Sequence, residues 1–327
     1  MKDELKIAVA QINPTVGDIT GNSDLVRSAH KAAEAAGADL VVFGELVLCG
    51  YPPEDLVLKG AFQDAVAQAV HGLAAETADG RPGLLLTAPW RDNGILYNAA
   101  FLLDGGEVAA IRYKHNLPNY GVFDEKRVFA SGSMPGPINF RGVRIGVPIC
   151  EDIWTPDVCE CLAETGAEIF VVPNSSPFED GKFDVRLNHA VARVTENELP
   201  LIYVNQVGGQ DELVFDGGSF VLNSDCELAM QMPTFQDGLV VSEWRRLDDR
   251  WVCGEGPRVA PHEGLGAIYR TMTLGLRDYV NKNRFPGVVL GLSGGIDSAL
   301  SAAVAVDALG PGRVWCVMLP SKFSSDH

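Results

Sequence analysis

Three residues of this sequence could together split an amide: a thiol at Cys150, a carboxylate at Glu45 and an ammonium at Lys114. Cys150 stands in Pro148-Ile149-Cys150-Glu151-Asp152, where an apolar strand ends and the chain turns toward a helix. Such a place exposes a nucleophile with backbone N–H groups nearby, although a lone cysteine after an apolar strand is ordinarily core filler. Glu45 ends the apolar run Val41-Val42-Phe43-Gly44, where a carboxylate needs a partner. Lys114 ends another strand, ahead of His115-Asn116-Leu117-Pro118, and taken alone reads as half of a surface ion pair. Together they fit one reaction. Lys114 would lower the Cys150 pKa and stabilise the oxyanion, an effect of roughly 3 kcal/mol for one donor. Glu45 would take the thiol proton, pass it to the departing ammonia and then activate the water that hydrolyses the thioester, provided burial raises its pKa.

A second constellation is Ser293-Gly294-Gly295-Ile296-Asp297-Ser298, following the apolar run Val288-Val289-Leu290-Gly291-Leu292. It lacks the lysine of G-x-x-x-x-G-K-[ST]. It keeps the physics of a phosphate loop, with two glycines that let backbone approach closely and N–H groups at a helix start; the bland alternative is a tight turn. Cys159 and Cys161 point to different faces of a helix and the other cysteines are dispersed, so no zinc site is expected. His115 is expected to orient the Lys114 loop.

The elements that must position these groups alternate. Strand patterns cover 6–11, 39–43, 83–88, 98–103, 108–113, 143–147, 168–172, 201–205 and 218–223; helix patterns cover 22–36, 59–78 and 184–197. Asp104-Gly105-Gly106 supplies a hairpin turn. Thr155-Pro156 opens a helix that Gly166 closes. The result is a strand-rich α/β body ending near Leu247. Residues 248–262, charged and bearing Gly and Pro, read as a linker or docking segment. A helix over 264–281, a strand over 287–292, a helix over 299–309 and a strand over 314–318 begin a second α/β domain that reads as truncated at His327.

At 327 residues, 46% hydrophobic and 21% charged, the chain is ordinary globular material. Its net charge of -17 opposes nucleic acid and anionic membranes. The short apolar start after Met1 does not read as a signal peptide, and no run reaches membrane-spanning length. Seven dispersed cysteines, expected as free thiols, suit a reducing cytoplasm.

Gly44-Glu45, Lys114 to Pro118 and Cys150-Glu151-Asp152-Ile153-Trp154 resemble, in this order, the three signatures of the nitrilase (carbon-nitrogen hydrolase) superfamily. The resemblance implies an α-β-β-α sandwich with Glu45 as base, Lys114 on the oxyanion, Cys150 as nucleophile and Glu125 behind the lysine. The serine-glycine loop resembles that of the ATP pyrophosphatases, which implies the first part of a Rossmann-like domain. The pair, with Gly50 to Leu56, Leu117 to Glu125 and Asn174 to Phe178, is similar to a two-domain family. Its first domain hydrolyses L-glutamine, and its second uses the ammonia, ATP and Mg to turn deamido-NAD into NAD. That implies domains at 1–247 and 263–327, glutamine contacts at Tyr120, Ser176 and Lys182, and ATP contacts at Gly291, Leu292, Ser293, Gly294, Gly295, Ile296, Asp297 and Ser298, with Asp297 toward Mg. The fragment alone is expected to be a glutaminase with an incomplete synthetase, in a homo-oligomer. The competing readings are a stand-alone carbon-nitrogen hydrolase and a noncatalytic nucleotide-binding module.

Overall fold

The computed structural model describes residues 3–318, so the expected run beyond Met318, including Leu319 to Ser325, lies outside the described residues. The chain opens with β1 (Glu4–Gln11), α1 (Ile19–Ala35), β2 (Leu40–Val42), α2 (Gly60–Ala75), β3 (Gly83–Asp92), β4 (Ile95–Asp104) and β5 (Glu107–Tyr113). It continues with β6 (Ile138–Phe140), β7 (Val143–Gly146), α3 (Asp157–Glu164), β8 (Ile169–Asn174), α4 (Lys182–Asn197), β9 (Leu201–Asn205), β10 (Val207–Gln210) and β11 (Leu213–Asp216). Then come β12 (Phe220–Leu222), β13 (Leu228–Gln231), β14 (Gly238–Leu247), β15 (Arg250–Cys253), α5 (Gly264–Lys282), β16 (Val288–Gly291), α6 (Ile296–Leu309) and β17 (Val314–Val317). Two compact units result: one holds the residues up to Val207 and Phe215–Pro261, the other Gly208–Val214 and the residues from His262 on.

The first unit is the α-β-β-α sandwich. Its seven-stranded sheet runs β15-β14-β1-β2-β3-β4-β5 and its six-stranded sheet β13-β12-β9-β8-β7-β6. In β1 the two-residue period divides the apolar side chains: Leu5, Ile7 and Val9 enter the core between the sheets, while Ala8 and Ala10 face the core beneath α1 and α2. The core between the sheets is completed from the other side by Ile145, Val171, Ile202 and Val221, and Cys159, Leu162, Ala190 and Val194 of α3 and α4 cover the outer face of the second sheet. Helix α1 begins three residues before the expected start because the Asp18 carboxylate accepts from Gly21 N at 2.9 Å and caps it.

Residues 248–262 dock rather than hang free as far as Pro261. Strand β15 pairs antiparallel with β14, and Gln231 exchanges backbone hydrogen bonds with Pro257 and Val259. The aromatic Trp251 drives this, being buried between the sheets with the Arg246 guanidinium 5.0 Å from its ring. Trp251→Ala is therefore expected to destabilise the sandwich by about 3–5 kcal/mol in urea unfolding.

In the second unit β16 and β17 pair in parallel with α6 as the crossover. The tip residues Gly208–Val214 pack on α5: Gly209 N donates to Asp278 at 2.8 Å, Lys282 Nζ donates to Gly209 O at 2.8 Å, and a Cβ on Gly209 would stand 2.8 Å from Gly275 Cα. Burial pulls the Lys282 ammonium down to about 8 against the pull of Asp278 and Asp211.

Candidate active site

The parallel strands of both sheets end at one place. The chain past β2 delivers Glu45, past β7 Cys150, past β8 Ser176, and the antiparallel β5 ends at Lys114. This is where an α/β protein gathers groups from distant sequence. The two sheets are stapled there: Glu45 N donates to Asn174 O at 3.1 Å and Ser175 Oγ to Glu45 O at 2.8 Å. Gly44 permits the approach, since a Cβ would lie 2.8 Å from Asn174 O.

Glu45 and Lys114 are each 0% exposed. Lys114 Nζ donates to Glu45 Oε1 at 2.6 Å and to Glu125 Oε1 at 2.8 Å, so two of its three N–H bonds are engaged and the third is free for another acceptor. Asn98 Nδ2 also donates to Glu45 Oε1, at 2.8 Å, and the buried Oε2 has no protein partner among the described residues. Tyr51 OH donates to Glu125 Oε1 at 2.9 Å. Burial lowers the Lys114 pKa, but Glu125 and Glu45 outweigh it and hold the ammonium well above its ordinary range. Burial likewise raises the Glu125 carboxyl, with Lys114 opposing.

Cys150 is buried and adopts φ +47°, opening a short 3-10 turn through Ile153. Its thiol is pushed well above the ordinary range, first by burial and then by Glu45, with Lys114 pulling the other way. The expectation that Lys114 lowers the pKa holds for its own contribution but not for the sum. Desolvation and three carboxylates exceed one ammonium. A thiol pKa held high gives a nearby base its role.

Around this cluster, Tyr120 OH donates to the Glu151 carboxylate at 3.0 Å, and burial raises Glu151 while Tyr120, Lys114 and Lys182 draw it down. Lys182 opens α4, its Nζ 3.1 Å from Glu179 and 5.0 Å from the centre of the Trp154 ring. Ser176 Oγ accepts from Arg186 Nε at 2.9 Å; Arg186 also donates to the Ser176 and Pro177 carbonyls and pairs with Asp216 at 2.8 Å. A cleft of about 650 Å³ runs past Tyr120, Glu151, His115 and Lys126. His115 Nδ1 lies 2.7 Å from Gly132 O, a contact that orients the loop.

The serine-glycine loop forms part of the second unit. Helix α6 starts at Ile296, so Asp297 and Ser298 belong to its first turn and not to the loop, with Gly295 as N-cap. Gly294 has φ +83°, and nothing lies within 4 Å of where a Cβ on Gly291 would be. Ser293 and Ser298 hydroxyls are 3.1 Å apart. The open backbone and paired hydroxyls fit a phosphate chain. Among the described residues no three His, Cys, Asp or Glu side chains gather into a metal cluster, and Asp297 is the acidic residue in the first turn of α6.

Sequence reasoning had no role for Asn98, Tyr51, Glu151, Asp152 or Arg186. Two carried a readable signal. Asn98 is a polar residue on a buried strand, and Arg186 occupies the same helical stripe as the buried Ala190 and Val194. A charge on an apolar stripe demands a partner.

An α-β-β-α sandwich with a carboxylate, an ammonium and a thiol at its strand ends is the frame of a thiol hydrolase for carbon-nitrogen bonds. The family model for carbon-nitrogen hydrolase matches residues 6–246, and that for NAD synthase residues 268–327. The chain belongs to the carbon-nitrogen hydrolase family. It is 49% identical over 99% of its length to a glutamine-dependent NAD(+) synthetase of Rhodobacter capsulatus and 38% identical over 98% to that of Acinetobacter baylyi. It spans 59% and 58% of those two curated relatives. The solved glutamine-dependent NAD+ synthetase of Acinetobacter baumannii, in complex with ADP, superposes with a TM-score of 0.92 at 40% identity, over 99% of this chain and 61% of that one. An amidase from Nesterenkonia, modified by acrylamide at its active-site cysteine, gives 0.65 at 28% identity over 72% of this chain and 92% of its own.

Proposed function

We propose that the sandwich is the glutaminase half of a glutamine-dependent NAD(+) synthetase and that the residues from about 263 begin its ATP-using half. The observation that carries the chemistry is the buried Glu45-Lys114-Glu125 cluster beside the buried thiol of Cys150. Sγ of Cys150 attacks the carboxamide carbon of glutamine as its proton passes to Oε2 of Glu45, the oxygen left without a protein partner. The third N–H of Lys114 stabilises the oxyanion. Glu45 returns the proton to the leaving nitrogen, ammonia departs, and a water activated by the same carboxylate hydrolyses the thioester to glutamate. Glu125 and Tyr51 fix the ammonium. Lys182 and Glu151 offer the opposite charges that a zwitterionic amino acid requires, with Tyr120 and Ser176 as further contacts.

In the second half, the segment from Gly291 through the loop to Ser298 in the first turn of α6 holds ATP phosphates. ATP when bound would activate deamido-NAD for attack by the ammonia. Asp297 would lend one carboxylate to a Mg ion held otherwise by phosphate oxygens. The seven free cysteines support a cytoplasmic setting, and no helix among the described residues is long and apolar enough to cross a membrane.

The test measures ammonia from glutamine, asparagine, simple amides and nitriles. Glutamine is expected to be the preferred substrate; equal release from simple amides would favour a general amidase. A chain extended with the remainder of the relatives' length is expected to form NAD from deamido-NAD, ATP and glutamine.

A further inference from the structure

The Asp152 carboxylate is buried and lies under the active site, where N–H donors from two distant segments converge on it. Its Oδ1 accepts from His115 N at 3.2 Å and Asn116 N at 2.7 Å, the two residues that follow Lys114. Its Oδ2 accepts from Ile149 N at 2.9 Å, the residue before Cys150. One side chain thus grips the strand end that carries the ammonium and the strand end that carries the thiol, and closes the turn in which Cys150 sits at positive φ. We propose that Asp152 is a positioning residue that sets the separation of Lys114 and Cys150, and that its ionised form is the one required for turnover. This deepens the glutaminase reading and rests on it.

The requirement for charge follows from the donors. Three N–H groups divided between both oxygens call for an acceptor at each end of the carboxyl, which the carboxylate provides strongly, a carboxylic acid weakly at its hydroxyl end, and an amide at one end alone. Burial raises the Asp152 pKa to about 6, against the pull of the Asn116 and Ile149 amides and the Lys114 charge. The titratable groups that act on it are Lys114 from the end of β5 and Cys159 from α3, while His115 meets it through its backbone N–H. Protonation as the pH falls through about 6 would loosen one arm of the clamp. A displacement of about 1 Å at a reacting atom costs on the order of 100-fold in rate.

The experiment compares wild type, Asp152→Asn and Asp152→Glu, each as the full chain, in steady-state ammonia release from pH 5 to 8. A parallel measurement follows alkylation of Cys150 by iodoacetamide, with Cys150→Ala as the blank for the other thiols. Asp152→Asn is expected to lower kcat about 10- to 100-fold with KM nearly unchanged, to lose the wild-type fall in kcat near pH 6, and to alter the alkylation rate. Asp152→Glu should restore part of kcat and the pH step. Wild-type kcat and alkylation in Asp152→Asn, or a pH step that survives the substitution, overturns the proposal. Should the asparagine variant not fold, amide hydrogen exchange on the wild type decides: protection at His115, Asn116 and Ile149 must drop as the pH passes below about 6, and unaltered protection overturns the clamp. If the wild type releases no ammonia from glutamine, the glutaminase reading fails separately, and alkylation and exchange still judge Asp152.

Discussion

Cys150→Ala is expected to release ammonia from glutamine at least about 10⁴-fold more slowly than the wild type, the scale on which loss of a covalent nucleophile is felt in comparable hydrolases. Alanine keeps the backbone conformation open to the cysteine and removes only a buried sulfur, so the fold should be little altered, with a stability change near 1 kcal/mol. The pairing of Glu45, Lys114 and Glu125 does not involve Sγ and should persist. A coupled ammonia assay and circular dichroism on the same sample separate the two effects. Release at the wild-type rate from a folded variant would remove the thioester from the mechanism.

Lys114→Met should damage both activity and stability. The methionine fills much of the space but leaves two buried carboxylates facing each other without a cation, a loss of about 3–5 kcal/mol for a broken buried pair. The oxyanion also loses its donor, worth roughly 10²–10³ in kcat. Glu125 gives the variant a pH signature. Burial already raises its pKa, and removing Lys114 removes the charge that opposes the rise. A carboxyl whose folded pKa lies above its unfolded value of about 4.3 contributes stability below that value and loses it as the pH climbs through the folded one. Urea unfolding should therefore find the variant more stable near pH 5 than near pH 8, relative to the wild type. An identical deficit at both pH values would mean that Glu125 does not feel Lys114.

Much of this was legible in the chain. Glu45, Lys114 and Cys150 each end an apolar run, and although Cys150 alone reads as core filler and Lys114 as half of a surface ion pair, the three together fit one reaction. Apolar runs such as Ile7 to Ala10, buried in the fold, read as a strand-rich α/β body, and the two-sheet sandwich comes from the resemblance to the nitrilase signatures. What stayed hidden depended on pairing across long sequence distances. Strand β14 falls in the sandwich body without an assigned element, and β15, within the segment read as a linker, is a four-residue stretch that becomes a strand because β14 lies alongside. Asn98 and Arg186 signalled a buried polar group but not its role, and Asp152 neither, for a related reason: a hydrogen-bonding side chain is defined by partners that the fold brings from elsewhere. The net effect on the Cys150 thiol was also beyond sequence, since composition near the cysteine says nothing of how completely water is excluded.

The ladder between β1 and β14 joins Glu4 to Arg245 and Gln11 to Gly238. Strand β1 therefore waits for a strand more than 220 residues further along the chain before its second edge is paired. Until Gly238 to Cys253 have been synthesised, β1 offers an open, apolar edge to any other unfinished chain. Contacts so distant in sequence also make closure slow. Assembly of the amidase is in this sense sealed by a segment that holds none of its chemical groups, and a chaperone that shields β1 would act at the vulnerable stage.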